Sequence, residues 1–289
     1  MFEKLLLCTD FSEYATKISS CVPTLPGIQE IVLLHVFDAT ILHIQGWTYN
    51  PQIENAKIRL GEQKQHLESL GLQVKTRLDV ITSGNVPGAI VSTADEENVS
   101  LIVMGARGES LIEQTFLGSV ARAVLRTTKH HTLILNDNVV ESMKAGSGTV
   151  CPQILSKVIF PTDFTKPSDA ALDIVKGMKG TGTLVLLHVI TEGQTAEEIK
   201  KSEEETQQRL NTLIGDLTTK GITVISHMRF GDPVEEILRC AKEEEASLIF
   251  LSSHGSGWLH TLLQGEKSID VVMHAKRPVL VARVDRDLS

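Results

Sequence analysis

The sequence predicts two tandem α/β domains, each a doubly wound sheet of five parallel strands with helices on both faces. Three observations predict this fold: the length of the chain, an internal repeat, and the alternation of short apolar runs with longer helical patterns. The 289 residues suffice for two domains of about 100–200 residues each. Because 42% of the residues are hydrophobic, each domain has enough apolar side chains for its own core.

The repeat consists of three pairs of similar segments. They are KLLLCTDFSEYA and KVIFPTDFTKPSDA, IVLLHVFD and LVLLHVIT, and SGNVPGAIVSTADEENVSLIVMGARG and FGDPVEEILRCAKEEEASLIFLSSHG. In the first pair Asp10 aligns with Asp163, and in the second His35 aligns with His188. Such self-similarity indicates a tandem duplication. We therefore expect a first domain at residues 1–140, a polar, Gly- and Ser-containing linker at 141–153, and a second domain at 154–289.

Five apolar runs of the first copy are predicted as strands, in the order KLLLCT, EIVLLHV, VKTRLDV, SLIVMGA and HTLILN. All but the third are almost continuously hydrophobic, which is typical of parallel strands buried on both faces. The predicted helices between them are Ser12–Cys21, Gln52–Leu70, Val86–Asn98 and Ser119–Lys129. Right-handed connections between parallel strands give an open sheet covered on both faces, and ligands bind such sheets at the carboxyl ends of the strands.

Composition and charge exclude several classes of partner and site. The formal net charge of −8 and the pI near 5.7 indicate no general affinity for nucleic acid or for an anionic membrane. No segment approaches the ~18 apolar residues of a membrane-spanning helix, and the first residues do not resemble a signal peptide. The four cysteines form no C-x-x-C pair and predict neither a zinc site nor a disulfide framework; they are Cys8, Cys21, Cys151 and Cys240. We expect a reduced, cytoplasmic protein.

A string of small residues, G-x2-G-x9-G-S, follows the fourth predicted strand. Gly105 and Gly108 lie directly after that strand, where glycine permits a positive φ and close approach of a bound group to the backbone. Gly118 and Ser119 begin the last predicted helix, whose first N–H groups and positive dipole end favour an anion. The string therefore predicts a loop that binds phosphates at a helix start. The alternative is that the glycines only turn the chain and Ser119 only caps the helix.

With these motifs the chain resembles a tandem member of the universal stress protein family, and the resemblance covers nearly all of both copies. Nucleotide-binding members carry G-x2-G-x9-G-[ST] after strand four and an aspartate after strand one, in a P-T-D-F-S type phrase. Here the string is complete and CTDFS supplies Asp10, with Cys8 in place of the usual proline. The resemblance implies a Rossmann-like fold of the adenine nucleotide alpha hydrolase type. It also implies a bound adenine nucleotide, ATP or AMP, with or without Mg²⁺.

The resemblance further implies which residues form the site. Asp10 would contact the adenosine, the backbone of Val36 would line the adenine pocket, and Val120 would lie just beyond the phosphates. The implied nucleotide-binding set is Cys8, Thr9, Asp10, Val36, Met104, Gly105, Arg107, Gly108, Gly118, Ser119 and Val120. The set contains no catalytic residue and no metal ligand.

Several of these positions have structural alternatives. Asp10 and Glu13 have the spacing of a helix capping box, so Asp10 could serve only as a cap. His35 and His188 lie in apolar strands and are predicted to be hydrogen-bonded core residues rather than ligands. Arg107 either contacts a phosphate or is solvated.

The second copy departs from the glycine string. Its aligned residues are Ser252, Gly255, Gly265 and Glu266. A carboxylate at a helix start would satisfy the N–H groups itself and repel a phosphate. We expect this copy to bind nucleotide much more weakly and to act as a structural or dimerising partner, and we expect Ser252→Gly with Glu266→Ser to create nucleotide binding there.

Three functional hypotheses follow. The first is a regulatory or stress-response protein in which the bound nucleotide alters conformation or partner choice. The second is a slow ATPase or an adenylyl-transferring enzyme, although the chain has no G-x4-G-K-[ST], G-x-S-x-G or H-E-x-x-H motif. The third is a nucleotide-free structural dimer. Family resemblance and the apolar final strands, HTLILN and RPVLVAR, predict a homodimer or pairing of the two copies within the chain.

Overall fold

The computed structural model describes residues 2–40, 50–107, 117–136, 153–191, 196–253 and 266–284. The chain divides into two compact units, Met1–Pro152 and Gln153–Ser289. Within the described ranges there are ten strands and eight α-helices. The predicted α/β architecture, with strands and helices in regular alternation, is confirmed.

The first unit holds five parallel strands in the spatial order β3-β2-β1-β4-β5. Its elements are β1 (Lys4–Cys8), α1 (Glu13–Ser19), β2 (Glu30–Asp38), α2 (Asn50–Ser69), β3 (Gln73–Ile81), α3 (Val86–Glu96), β4 (Leu101–Gly105), α4 (Ser119–Thr127) and β5 (His131–Leu135). Leu5 of β1 pairs with Ile31 of β2 on one side and with Leu101 of β4 on the other. The chain leaves β1 towards β2 but leaves β4 towards β5. The carboxyl ends of β1 and β4 therefore form the switch point of the sheet, where ligands bind in this class of fold.

Burial explains why the apolar runs form strands. Leu5, Leu6 and Leu7 of β1 are at most 1% exposed, because helices cover both faces of the sheet at this central strand. All four predicted helices of the first copy end one or two residues earlier than the sequence pattern suggested, and the backbone gives the reason for two of them. Asn98 has a φ of 49°, so the backbone turns out of α3 after Glu96, and extended Thr128 (φ −72°, ψ 149°) terminates α4.

The second unit repeats this arrangement in the order β8-β7-β6-β9-β10, again with all pairs parallel. Its elements are β6 (Lys157–Pro161), α5 (Lys166–Gly177), β7 (Thr183–Ile190), α6 (Ala196–Thr219), β8 (Thr223–Phe230), α7 (Pro233–Glu243), β9 (Leu248–Ser252), α8 (Glu266–His274) and β10 (Val279–Ala282). Phe160 of β6 and Phe250 of β9 are fully buried and lie 5.9 Å apart between ring centroids. They form the centre of its core.

An ion cluster lies at the amino end of the strands in the first unit. Glu97, which follows α3, is 3.3 Å from Lys4 of β1 and 2.7 Å from Lys75 of β3, and its side chain is only 9% exposed. Glu244 forms the equivalent cluster in the second unit, 3.2 Å from Lys157 and 2.8 Å from His227. Each cluster connects the central strand of its unit to the outer strand and stabilises the fold away from the switch point.

The expectation about cysteines needs one correction. Cys8 and Cys240 are free thiols, but Cys21 takes part in a disulfide. The spacing of the cysteines does not predict this bond.

In the part of the chain that the structure describes, no helix combines the length and the apolar character needed to cross a membrane.

Candidate functional site

A pocket opens at the switch point between β1 and β4. The volume accessible to the centre of a water molecule is about 210 Å³. The pocket is lined by every residue of the predicted set except Gly108, which lies outside the described residues: Cys8, Thr9, Asp10, Val36, Met104, Gly105, Arg107, Gly118, Ser119 and Val120. The fold therefore brings together residues that are separated by more than half of the first copy.

Asp10 is held by the start of α1 but does not cap it. Its Oδ1 atom accepts hydrogen bonds from the backbone N–H of Ser12 (3.0 Å) and from the Ser12 hydroxyl (2.6 Å). The Ser12 hydroxyl oxygen in turn accepts from the N–H of Ala15, 3.0 Å away, so Ser12 is the N-cap residue. The capping-box alternative for Asp10 and Glu13 is wrong. Asp10 is instead an oriented carboxylate in the pocket wall.

The turn after Asp10 is held by a stack of three side chains. Phe11 has a φ of 65°, a left-handed conformation that is strained for a bulky residue. Its ring lies 4.2 Å from the His35 ring, with the Arg59 guanidinium 4.6 Å from its centroid. Arg59 Nη2 also donates to the Phe11 carbonyl oxygen over 2.6 Å. These contacts stabilise a backbone conformation that fixes the direction of the Asp10 carboxylate.

The second copy repeats this stack. Phe164 has a φ of 59°, its ring lies 4.6 Å from that of His188, and the Arg209 guanidinium is 5.5 Å from its centroid. Because the stack occurs in both copies, it belongs to the fold of the unit.

His35 is hydrogen-bonded, as predicted. Its Nδ1 lies 2.8 Å from the carbonyl oxygen of Thr9, and because a carbonyl only accepts, Nδ1 carries the hydrogen. Burial lowers the pKa of the imidazole below its ordinary value, although the Thr9 carbonyl and Asp10 oppose that shift. The ring is therefore neutral at pH 7 and forms part of the pocket wall.

Gly105 is required for a reason other than the expected positive φ, which it does not adopt. A Cβ at Gly105 would lie 2.7 Å from Cε1 of Tyr14 and 3.0 Å from the Arg107 carbonyl oxygen. Contacts below 3.0 Å are not tolerated without movement. Glycine at this position therefore allows the Tyr14 ring to pack against the end of β4.

The helix start at Ser119 has the character of an anion site. Gly118 occupies the N-cap position with φ −59° and ψ 152°, and as a glycine it offers α4 no side-chain cap. Ser119 is thus the first helical residue, and the interpretation of Ser119 as a cap is wrong. The Gly118 N–H donates to the carbonyl oxygen of Ala106 over 2.7 Å, which fixes the chain at the entry to α4. The first N–H groups of a helix lack partners within the helix and favour an anion.

The remaining walls are mostly apolar. Burial raises the pKa of the Cys8 thiol to about 12, so Cys8 stays protonated and acts as an apolar side chain. Sequence reasoning missed other lining residues, namely Tyr14, Ala15, Leu34, Val86, Ile90, Ala106 and Ala121. Val86 and Ile90 are one turn apart on α3, where the apolar face of the helix was a signal of burial but not of a site.

The second copy keeps the aspartate and its hydrogen bonds. Asp163 Oδ1 accepts from the N–H (3.2 Å) and the hydroxyl (2.6 Å) of Thr165. The counterpart of Val36, which is half-buried, is Val189 at 1% exposure, whereas Ile90 and its counterpart Ile237 are both buried. The second copy thus covers the position of Val36 more fully than the first copy does. Gly255 and Gly265 lie outside the described residues.

Comparisons with known proteins agree with this architecture. The model of the Universal stress protein family matches residues 1–136 and 155–283. A solved universal stress protein from Archaeoglobus fulgidus DSM 4304 is 27% identical, covering 98% of this chain and 97% of that chain with a TM-score of 0.73. Universal stress protein MJ0577 of Methanocaldococcus jannaschii is 30% identical over 47% of this chain and 95% of its own length. Another A. fulgidus universal stress protein, solved in complex with dAMP, is 23% identical over 46% of this chain and 98% of that chain, with a TM-score of 0.37.

Proposed function

The chain belongs to the universal stress protein family, and we propose that its first copy binds an adenine nucleotide, ATP or AMP, and that the chain acts as a regulatory protein of the stress response. In this role the bound nucleotide alters conformation or the choice of partner. Mg²⁺ would accompany a triphosphate and be held by its phosphate oxygens.

The observation that carries the proposal is the chemistry of the walls of the switch-point pocket. Asp10 supplies a carboxylate that accepts hydrogen bonds from the hydroxyl or amino groups of a nucleoside. Val36, Ile90 and Met104 supply apolar surface for a base. The start of α4, whose N-cap residue Gly118 has no side chain, supplies backbone N–H groups for phosphates. One pocket therefore contains groups complementary to each part of a nucleotide.

We propose one nucleotide per chain, bound in the first copy. The burial of Val189 supports this number, because it is 1% exposed, whereas its counterpart Val36 is only half-buried in the pocket wall. The glutamate at the start of α8 also disfavours a phosphate there.

Calorimetric titration of nucleotide-free protein with ATP, AMP and GTP tests the proposal. We expect saturable binding of ATP and AMP and at least tenfold weaker binding of GTP. Absence of binding for every adenine nucleotide would refute the proposal. Steady release of phosphate from ATP in a parallel assay would instead favour the slow ATPase.

We also propose that the protein is cytoplasmic and forms a homodimer in which the two copies of each chain pair. Within each unit taken by itself, the last strand lies at the edge of its five-stranded sheet, and an apolar edge strand needs cover. Light scattering after gel filtration should give the mass of two chains. The mass of one chain would exclude the homodimer.

A further inference from the structure

Tyr14 belongs to α1 but is joined to the end of β5 on the far side of β4. Its hydroxyl donates to the carbonyl oxygen of Leu135, the last residue of β5. The same oxygen accepts the N–H of Ala106 over 2.7 Å. Leu135 thus links α1 to the first residue after β4.

A second hydrogen bond extends this link to the start of α4. The carbonyl oxygen of Ala106 accepts the N–H of Gly118 over 2.7 Å. Ala106 directly follows the first glycine of the string and Gly118 is its third glycine, so this bond joins the end of β4 to the start of α4. The Tyr14 hydroxyl, Leu135, Ala106 and Gly118 form a continuous chain of hydrogen bonds that ends at the N-cap of α4.

The second copy has the first part of this chain without the tyrosine. The N–H of Ser253 donates to the carbonyl oxygen of Ala282 over 2.7 Å, as Ala106 does to Leu135. Pro167 stands at the position of Tyr14 and has no hydroxyl. The tyrosine hydroxyl therefore distinguishes the copy that we expect to bind nucleotide from the copy that we do not.

We propose that Tyr14 is a positioning residue for the phosphate end of the site, acting through Leu135 and Ala106 on Gly118. The inference rests on the proposed nucleotide binding and assigns to Tyr14 the part of it that recognises phosphate. Without the hydroxyl, the carbonyl oxygen of Leu135 keeps only the N–H of Ala106 as a donor. The position of Ala106 is then less firmly fixed. The N–H groups at the start of α4 are then less well oriented towards a phosphate, whereas the nucleoside walls at Asp10 and Val36 are unchanged.

Calorimetric titration of Tyr14→Phe with ATP and with adenosine tests whether Tyr14 supports the binding of phosphate but not of the nucleoside. The variant should bind ATP about threefold to tenfold more weakly, the range expected for one hydrogen bond. Its affinity for adenosine should equal that of the wild type. If Tyr14 had only a structural role, its replacement would weaken the binding of ATP and of adenosine to the same extent.

Ser100→Ala is the matched control. The Ser100 hydroxyl donates to the carbonyl oxygen of Lys4 over 2.8 Å, and that oxygen also accepts the N–H of Ser100. The control therefore removes a hydroxyl from a doubly bonded strand carbonyl, as Tyr14→Phe does, but at the amino end of the sheet. It should leave the affinities for ATP and adenosine unchanged.

Amide hydrogen exchange gives a readout that needs no ligand. The amides of Ala106 and Gly118 should exchange faster in Tyr14→Phe than in the wild type, and at the wild-type rate in Ser100→Ala. Unchanged exchange, equal losses for ATP and adenosine, or full ATP affinity in Tyr14→Phe would each overturn the role of Tyr14. Those results differ from a wild-type protein that binds no adenine nucleotide, which would refute the proposed function itself.

Discussion

The hydroxyl of Ser252 donates to the carbonyl oxygen of Pro167 over 3.2 Å, at the place where Gly105 meets Tyr14 in the first copy. Ser252 is fully buried. The two copies therefore fill one space in opposite ways, with a glycine against a tyrosine ring or a serine against a proline. A single change in either pair disturbs close packing.

Gly105→Ser should destabilise the first unit. The new Cβ would meet the Tyr14 ring at 2.7 Å, and overpacking of this kind costs about 1–3 kcal/mol. We expect a lower free energy of unfolding in urea and weaker ATP binding.

The double variant Gly105→Ser with Tyr14→Pro recreates the pair of the second copy and should recover part of the lost stability. Proline is acceptable at the second residue of α1, as at Pro167 in α5. Recovery is partial because the Arg107 carbonyl oxygen would still lie 3.0 Å from the Cβ. If Gly105→Ser alone proved as stable as the wild type, the packing argument would be contradicted.

Gly118→Asp should abolish ATP binding while the fold remains intact. Gly118 has N-cap dihedrals that suit aspartate, so the new carboxylate would cap α4 and occupy the phosphate position. At an effective dielectric of ~20, two unit charges about 4 Å apart repel by ~4 kcal/mol. We expect at least a ~100-fold loss of ATP affinity and an unchanged or raised melting temperature.

Gly118→Asn is the control for that charge. Asparagine caps a helix equally well but carries no charge. It should lose clearly less affinity for ATP than the aspartate variant. Equal affinities for ATP in the two variants would show that repulsion is not the cause.

Repair of the phosphate end of the second copy tests the role of its glutamate. Ser252→Gly with Glu266→Ser should create nucleotide binding there, because the change removes the carboxylate at the start of α8 and Asp163 keeps the hydrogen bonds that orient Asp10 in the first copy. In a chain already carrying Gly118→Asp, titration with ATP, ADP and AMP should detect this binding. A folded variant that binds none of the three would show that Glu266 is not the main obstacle.

The fold was predictable from the sequence, because nearly continuous apolar runs can only be buried in a sheet covered on both faces. The lining of the pocket was predictable where a motif marks it, as at Asp10 and Gly118. Tyr14 was not predictable, since its partner Leu135 is 121 positions away in the chain. Local pattern could not identify the cap of α1 either, because Asp10 and Ser12 both have suitable spacing.

Glu97→Gln should lower stability in a pH-dependent way. Lys75 and Lys4 hold the pKa of Glu97 below its ordinary 4.5, against the effect of burial. The ionised carboxylate therefore stabilises the fold above about pH 4.5, and this contribution is lost as the pH falls through the lower folded-state value. We expect a loss of about 1–2 kcal/mol at pH 7 that disappears in acid, as measured by urea unfolding.

Glu68→Gln supplies the comparison for Glu97. Glu68 pairs with Lys64 over 3.6 Å at an exposed position of α2, and exposed pairs contribute about 0–1 kcal/mol. Its effect on stability should be small at every pH. If the two variants lowered the free energy of unfolding equally, the burial of Glu97 would not strengthen its ion pairs.

Native mass spectrometry of the chain with excess ATP tests the central claim most directly, because it counts bound nucleotides per chain. The account predicts one ATP per wild-type chain and none on Gly118→Asp. Two ATP molecules per wild-type chain, or one on both proteins, would contradict a single site at the start of α4.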